Sequence, residues 1–386
     1  MGVSQPTQLA FAPRVDLSTG ANGSEHVFIA DFNKDGKLDI AVSGFNPNAV
    51  SVFLNKGDGT FTGPILTSIP ASSIGFSATV VGDFNEDGYP DLLVGSALLL
   101  GNGDGTFRQG PPLTNGFAGW AMDAKAVDLN GDGHLDLVQV GWVVGQVGSG
   151  FLAVSLGNGD GTFRPTSGFS AASNPGSYTG LAVADFNGDK KVDIVAFDWG
   201  VLYNPTPYIR MSSVPSTLVF YAGNGDGTFQ APLLTTTWNY VAGGVNADFT
   251  GNGKQDLVIA AIPGGFGTPT SDGKDGIIFG NGDGTFQGLG VTPVPLVESG
   301  DFVQAADMDL DGKADVLTAN RTTGVLTLVQ SSSIGQGPTV PGVYQFTIAP
   351  GLNSIATGDL NGDGLPDIVV SNSSTQQISI FLSRKQ

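Results

Sequence analysis

The stretch DFNKDGKLDIAV, from Asp31 to Val42, sets three aspartates and an asparagine within nine residues and then passes into a β-branched apolar run. Its first nine residues return six more times: DFNEDGYPD (Asp83 to Asp91), DLNGDGHLD (Asp128 to Asp136), DFNGDKKVD (Asp185 to Asp193), DFTGNGKQD (Asp248 to Asp256), DMDLDGKAD (Asp307 to Asp315) and DLNGDGLPD (Asp359 to Asp367). Successive copies start 45 to 63 residues apart. A repeat of roughly 55 residues has room for four short strands and their turns, the unit of a propeller blade. Seven copies predict an all-β chain folded as a seven-bladed β-propeller, a single domain over residues 1–386.

Short apolar runs flank each loop, VFIA (Val27 to Ala30) before the first and DIAV after it, so the loop joins two buried strands. A third strand leads into a second motif, KGDGTF (Lys56 to Phe61), repeated as NGDGTF ending at Phe107, Phe163, Phe229 and Phe286. Its Gly-Asp-Gly core reads as a hairpin turn, with glycines at positive φ and the Phe returning to the core. Repeats six and seven lack this turn. Repeat seven stops after its third strand, and the N-terminal stretch TQLAFAPRVDLS (Thr7 to Ser18) resembles GTFQAPLLT of repeat four. It is expected to supply the missing outer strand and close the ring, which leaves no open edge.

Within the loop, Asp31, Asn33, Asp35 and Asp39 stand at positions one, three, five and nine around Gly36 at position six. Hard oxygens at alternating positions about a tight glycine turn are what Ca²⁺ requires. The other loops supply Asp83, Asn85, Asp87 and Asp91; Asp128, Asn130, Asp132 and Asp136; Asp185, Asn187, Asp189 and Asp193; Asp248, Thr250, Asn252 and Asp256; Asp307, Asp309, Asp311 and Asp315; Asp359, Asn361, Asp363 and Asp367. Position seven holds Lys37, Tyr89, His134, Lys191, Lys254, Lys313 and Leu365, which share no side-chain chemistry, so the ligand expected there is the backbone carbonyl. Up to seven Ca²⁺ are predicted. The fifth loop, with two carboxylates, and the fourth, with Lys190 at position six, are expected to be the weakest sites.

The D-x-[DN]-x-[DN]-G-x-x-D loops closely resemble those of the FG-GAP or VCBS repeat family over nearly the whole chain. The resemblance implies a calcium-loaded propeller of the kind that forms the integrin α head, bacterial surface and secreted proteins and some fungal lectins. That fold hosts adhesins, lectins and polysaccharide lyases alike, so function must come from the site.

Composition bounds the partners. A net charge of -19 argues against nucleic acid, which needs a basic face. No apolar run is long enough for a membrane helix. The absence of cysteine excludes disulfides and thiolate metal sites. The N-terminus lacks a signal-peptide pattern, so a secreted or cell-surface protein whose leader is not in this chain is the expectation, acting as a monomeric domain.

In four-stranded blades the acidic loops and GDGTF turns share one face, and the longest connections gather on the other, in repeats three to five: Gly141 to Gly150, Asp198 to Thr217 and Ile262 to Asp275. Long loops on a rigid scaffold carry function. Trp120, Trp142, Trp199, Tyr203, Tyr208, Arg210, Trp238 and Tyr240 fall in or beside these connections, as does Tyr178, and form a candidate surface for a glycan or an extracellular protein. Binding, not catalysis, is the expectation. The alternative, a polysaccharide lyase, needs a base, for which Tyr203 or Tyr208 with Arg210 are the candidates. Of the two histidines, His134 occupies a carbonyl position, whereas His26 and Lys125 lie on innermost strands at the central channel, where packing or a local ion pair is the simpler role. Asn22, Asn320 and Asn372 head N-x-[ST] sequons.

Overall fold

Alternation of short β-branched segments with Gly/Asp turns produces strands of two to nine residues wherever the chain is regular. The computed structural model describes residues 8–21, 23, 26–45, 48–70, 78–113, 119–143, 150–165, 169–170, 178–198, 216–236, 241–261, 275–287, 292–293, 300–334 and 342–385. The first blade shows the pattern: an innermost strand Val27–Ala30, then Asp39–Phe45, Asn48–Asn55 and an outermost Phe61–Ser68, all antiparallel and paired in chain order. Five further blades repeat it, beginning at Thr79, Gly119, Tyr178, Val241 and Phe302. Among the described residues the one helical turn is a 3-10 turn at Ser331–Ser333, in blade six where the GDGTF turn is missing.

Blade seven is assembled from both ends of the chain. Leu352–Gly358, Asp367–Asn372 and Gln377–Phe381 provide three strands, and Val15–Ser18 pairs with the third, Val15 opposite Ile380 and Ser18 opposite Gln377. A second pairing joins the termini: Leu9–Phe11 runs antiparallel to Ser383–Lys385, with Phe11 opposite Ser383. In blade one the turn residue Phe61 faces Asn55 in the same way. Phe11 therefore stands where a GDGTF phenylalanine would, and the two chain ends replace the hairpin turn.

The core lies between blades. Val27, Ile40, Val42 and Phe53 of blade one pack on Val369, Ile378 and Ile380 of blade seven, while Ala41, Val50 and Val52 on the other side of blade one meet Leu92, Val94 and Leu99 of blade two. Equivalent clusters join blades two and three, three and four, four and five, five and six, and six and seven. Each strand between two blades is apolar on both faces because it is covered on both faces, and the ring has no free end.

Candidate metal centre

Each acidic loop is held by main-chain donors. In all seven, the N–H of position six donates to Oδ2 of the position-one aspartate at 2.6–2.9 Å. The N–H of position seven donates to the oxygen of position five at 2.8–3.0 Å. The loop backbone is a nest of amides, and it offsets part of the carboxylate repulsion that the sequence suggests. Lys190 keeps this hydrogen bond in loop four by adopting φ +67°, the left-handed conformation that glycine supplies elsewhere. The exceptional residue there changes composition, not geometry.

Position nine does more than border the loop. Asp39, Asp91, Asp136, Asp193, Asp256, Asp315 and Asp367 are fully buried. One oxygen of each accepts the N–H of position two at 2.8–3.3 Å. The other accepts an N–H at the end of the third strand, Asn55 in blade one and Ser383 in blade seven, at 2.7–2.9 Å. Burial pushes the carboxyls of Asp39, Asp91 and Asp367 up to about 6 and that of Asp315 up to about 8. Such groups favour a positive partner, and a bound cation supplies one.

Two features fit the donor set to a hard cation. In loop two Asp83 Oδ1 is a buried oxygen with no hydrogen-bond partner among the described residues, although Oδ2 of the same carboxylate accepts Gly88 N–H at 2.8 Å. In loop six, oxygens of Asp307, Asp309 and Asp315 all lie within 4.8 Å of one another. Asp309 there is held by Gln330 Nε2 at 2.6 Å, from the segment that replaces the GDGTF turn.

The turns complete the face. In blade one Asp58 Oδ1 accepts both the N–H and the hydroxyl of Thr60, at 3.0 and 2.6 Å, a device repeated in the other four turns. The first glycine of the turn lies against the position-seven side chain of its own blade: a Cβ on Gly57, at φ +89°, would come within 2.9 Å of Lys37. The second glycine reaches the preceding blade. Gly161 N–H donates to the Phe84 carbonyl at 2.9 Å, and Gly284 N–H to that of Phe186 at 3.0 Å. Every such bond ties an acidic loop to the next blade.

Side chains at positions four and seven were invisible as partners in the sequence. Lys34 Nζ lies 5.0 Å from the Tyr89 ring centre of blade two, and Glu86 pairs with His134 Nδ1 of blade three. His134, expected from the sequence to contribute only its backbone carbonyl, thus also has a side-chain partner. The readable signal was Lys34, Glu86 and Leu310 at position four, where four other loops have glycine.

On the opposite face, Trp120 and Trp142 lie near the ends of strands Gly119–Val127 and Asp136–Val143, directly opposite each other in register. The connection after the second strand of blade three is accordingly shorter than Gly141 to Gly150. Tyr178 is a core residue, with its hydroxyl 3.1 Å from that of Tyr221. Trp199, Tyr203, Tyr208, Arg210, Trp238, Tyr240 and Asn22 lie outside the described residues. At the channel, Lys125 pairs with Asp123 at 3.0 Å, and Asp123 also accepts Leu181 N–H from blade four at 3.0 Å, the local ion pair anticipated for this position. At the Asn372 sequon the side chain is buried, and its Nδ2 donates to the carbonyls of Ala349 and Pro350.

This geometry defines a class, a seven-bladed propeller whose blades each carry an acidic nine-residue loop locked by its own backbone. The FG-GAP-like repeat matches residues 31–94, 95–138, 142–196 and 248–318, and the FG-GAP repeat matches 352–381. The chain belongs to the FG-GAP repeat family. It is similar to integrin alpha-PS5 of Drosophila melanogaster, 41% identical over 88 residues, and to human integrin alpha-7, 40% identical over 88 residues. Those stretches cover 20% of this chain but only 9% and 7% of the relatives, so the chain spans a small part of the curated proteins it matches. Among solved structures, BBS1N in complex with ARL6DN aligns with TM-score 0.58 at 10% identity, covering 98% of both chains. An alpha-L-arabinofuranosidase from Fusarium graminearum in complex with an iminosugar inhibitor aligns with TM-score 0.51 at 10% identity, covering 100% of this chain and 98% of that one. Both likenesses concern the fold alone. No helix among the described residues is long and apolar enough to cross a membrane.

Proposed function

We propose that the chain is a calcium-stabilised binding domain of cell-surface or secreted type. Its acidic loops take Ca²⁺ and stiffen one face of the ring, and the long connections of blades three to five engage a glycan or an extracellular protein on the other. The observation that carries the metal reading is Asp83 Oδ1, a buried carboxylate oxygen without a hydrogen-bond partner among the described residues, in a loop whose other oxygens are engaged. A divalent ion held by hard oxygens satisfies it, and Ca²⁺ suits the irregular donor set better than Mg²⁺, which prefers a rigid octahedron rich in water. Position one, three, five and nine side chains and the position-seven carbonyl are the ligands in this reading. Loop six, with four carboxylates, is the tightest site and loop five the weakest. The integrin-like repeats support binding in preference to turnover.

Calcium-free protein titrated with Ca²⁺ in a calorimeter, with native mass spectrometry counting the ions, tests the metal half. No heat and no added mass would refute it. Glycan arrays and capture of extracellular proteins, each with calcium and with chelator, test the binding half. Turnover of uronate polymers to unsaturated products would instead establish the lyase.

A further inference from the structure

Position four of the acidic loop is left-handed in every blade, with φ between +56° and +81°. Glycine meets this requirement without cost in loops three, four, five and seven. Lys34 and Glu86 adopt φ +57° and +56° despite carrying side chains, a conformation that costs about 1 kcal/mol or more for such residues. Leu310 is the third non-glycine at this position, at φ +59° with an exposed side chain; the other two, Lys34 and Glu86, reach the next loop in the ring. The Lys34 ammonium lies over the ring of Tyr89, and the Glu86 carboxylate pairs with the ring of His134. Tyr89 and His134 occupy position seven of loops two and three. In blades two and three the same interface carries a main-chain tie, Gly161 N–H to the Phe84 carbonyl of loop two.

We propose that Lys34 and Glu86 are positioning residues that couple calcium sites one to two and two to three. The inference rests on the calcium reading above, in which the carbonyls of Tyr89 and His134 are ligands. Neither Lys34 nor Glu86 offers a ligand to its own loop at position four. Each holds instead the residue whose carbonyl would be a ligand of the neighbouring site. Occupation of loop two orders Glu86, Glu86 orders His134, and loop three then binds at a lower ordering cost. The link is reciprocal by linkage, so occupation of loop three tightens loop two by the same factor. Where position four is glycine the side-chain link is missing, and the apolar Leu310 of loop six offers no charge for one, so the coupled series is confined to the first three blades.

The experiment is a calcium titration of the full chain followed through the backbone amide resonances of the position-six glycines Gly36, Gly133 and Gly312, which report sites one, three and six separately. Glu86→Gly removes the link and relieves the left-handed strain together, so it preserves the loop. The expected result is a midpoint at Gly133 raised about two- to fivefold, the range for an exposed charged pair, with a smaller shift at Gly36, passed on through site two, and Gly312 unchanged. Asp87→Ala, which weakens site two, should shift the Gly133 midpoint in the wild-type background and leave it in place in Glu86→Gly. An unmoved Gly133 midpoint, or equal shifts at Gly133 and Gly312, overturns the coupling while leaving calcium binding intact. Wild-type glycine resonances that ignore calcium altogether overturn the metal reading itself, and the coupling with it.

Discussion

Oδ1 of Asp39 accepts the backbone N–H of Asn55 at 2.8 Å, which fastens the end of the acidic loop to the end of the third strand. The same carboxylate accepts Phe32 N–H at 3.0 Å, so one buried side chain closes two main-chain gaps. Asp39→Ala leaves both amides without an acceptor, and each such loss costs about 1–3 kcal/mol. The variant should lose roughly 2–5 kcal/mol in urea denaturation even with chelator present. Asp35→Ala, in an exposed part of the loop, should instead show its loss only when calcium is supplied. Equal losses in both buffers for Asp35→Ala would remove the distinction between locking and ligating positions.

Chelation should lower the melting temperature of the whole ring. A ligand that binds only the folded state adds about 2.7 kcal/mol per independent site at a hundredfold excess over Kd, so even two occupied sites outweigh a typical single mutation. Calorimetric scans with calcium and with chelator measure it. Coincident scans after verified metal removal would leave the loops as backbone-locked turns.

Closure by the N-terminus should be essential to the monomer. Leu9 is fully buried and its N–H donates to the Tyr344 hydroxyl at 3.0 Å, while Phe11 meets Tyr344 and Phe346 edge-on at 5.7 and 4.9 Å. Leu9→Ala should cost about 2–5 kcal/mol, as a buried leucine does. Deleting residues 1–18 should expose the third strand of blade seven as an edge and drive unfolding or oligomerisation, visible in sedimentation. A stable monomer after the deletion would contradict the double pairing of the termini.

Acid should weaken the fold through His26. Burial pushes this half-buried imidazole from 6.5 down to about 4; Asp123 opposes the shift, while Lys125 and Arg321 add to it. Between those two values the unfolded chain binds a proton that the folded chain does not, so stability falls as pH drops from 6.5 and the loss is complete near 4. With saturating calcium, the difference in stability between wild type and His26→Gln should therefore shrink or reverse across this window. A pH-independent difference would show that the histidine stays protonated or equally solvated in both states.

Replacement of Trp199, Tyr203, Tyr208 and Arg210 together should abolish capture of the partner with little change in melting temperature if, as the sequence leads one to expect, they stand on an exposed connection, where each residue usually contributes within about 0.5 kcal/mol. Retained binding would move the ligand surface away from blade four. Unfolding of the variant would make these side chains part of the packing.

The repeat of aspartates at one, three, five and nine determined the fold, the blade count and the face that carries the loops, because local spacing fully specifies a turn between two buried strands. The missing fourth strand of repeat seven likewise assigned Thr7 to Ser18 to the outer edge of that blade, where Val15–Ser18 pairs with Gln377–Phe381. Other relationships join residues far apart in the chain, and only the closed ring decided them. Phe11 replaces a turn phenylalanine because Ser383–Lys385 lies beside it. Asp39 is a structural lock as well as a candidate ligand because the third strand returns an amide to it. Glu86 meets His134 because neighbouring blades bring positions four and seven together. A nine-residue pattern specifies what each loop can hold, but not which side chains of the next blade it will touch, since that depends on the rotation between blades set by the packing of their apolar faces.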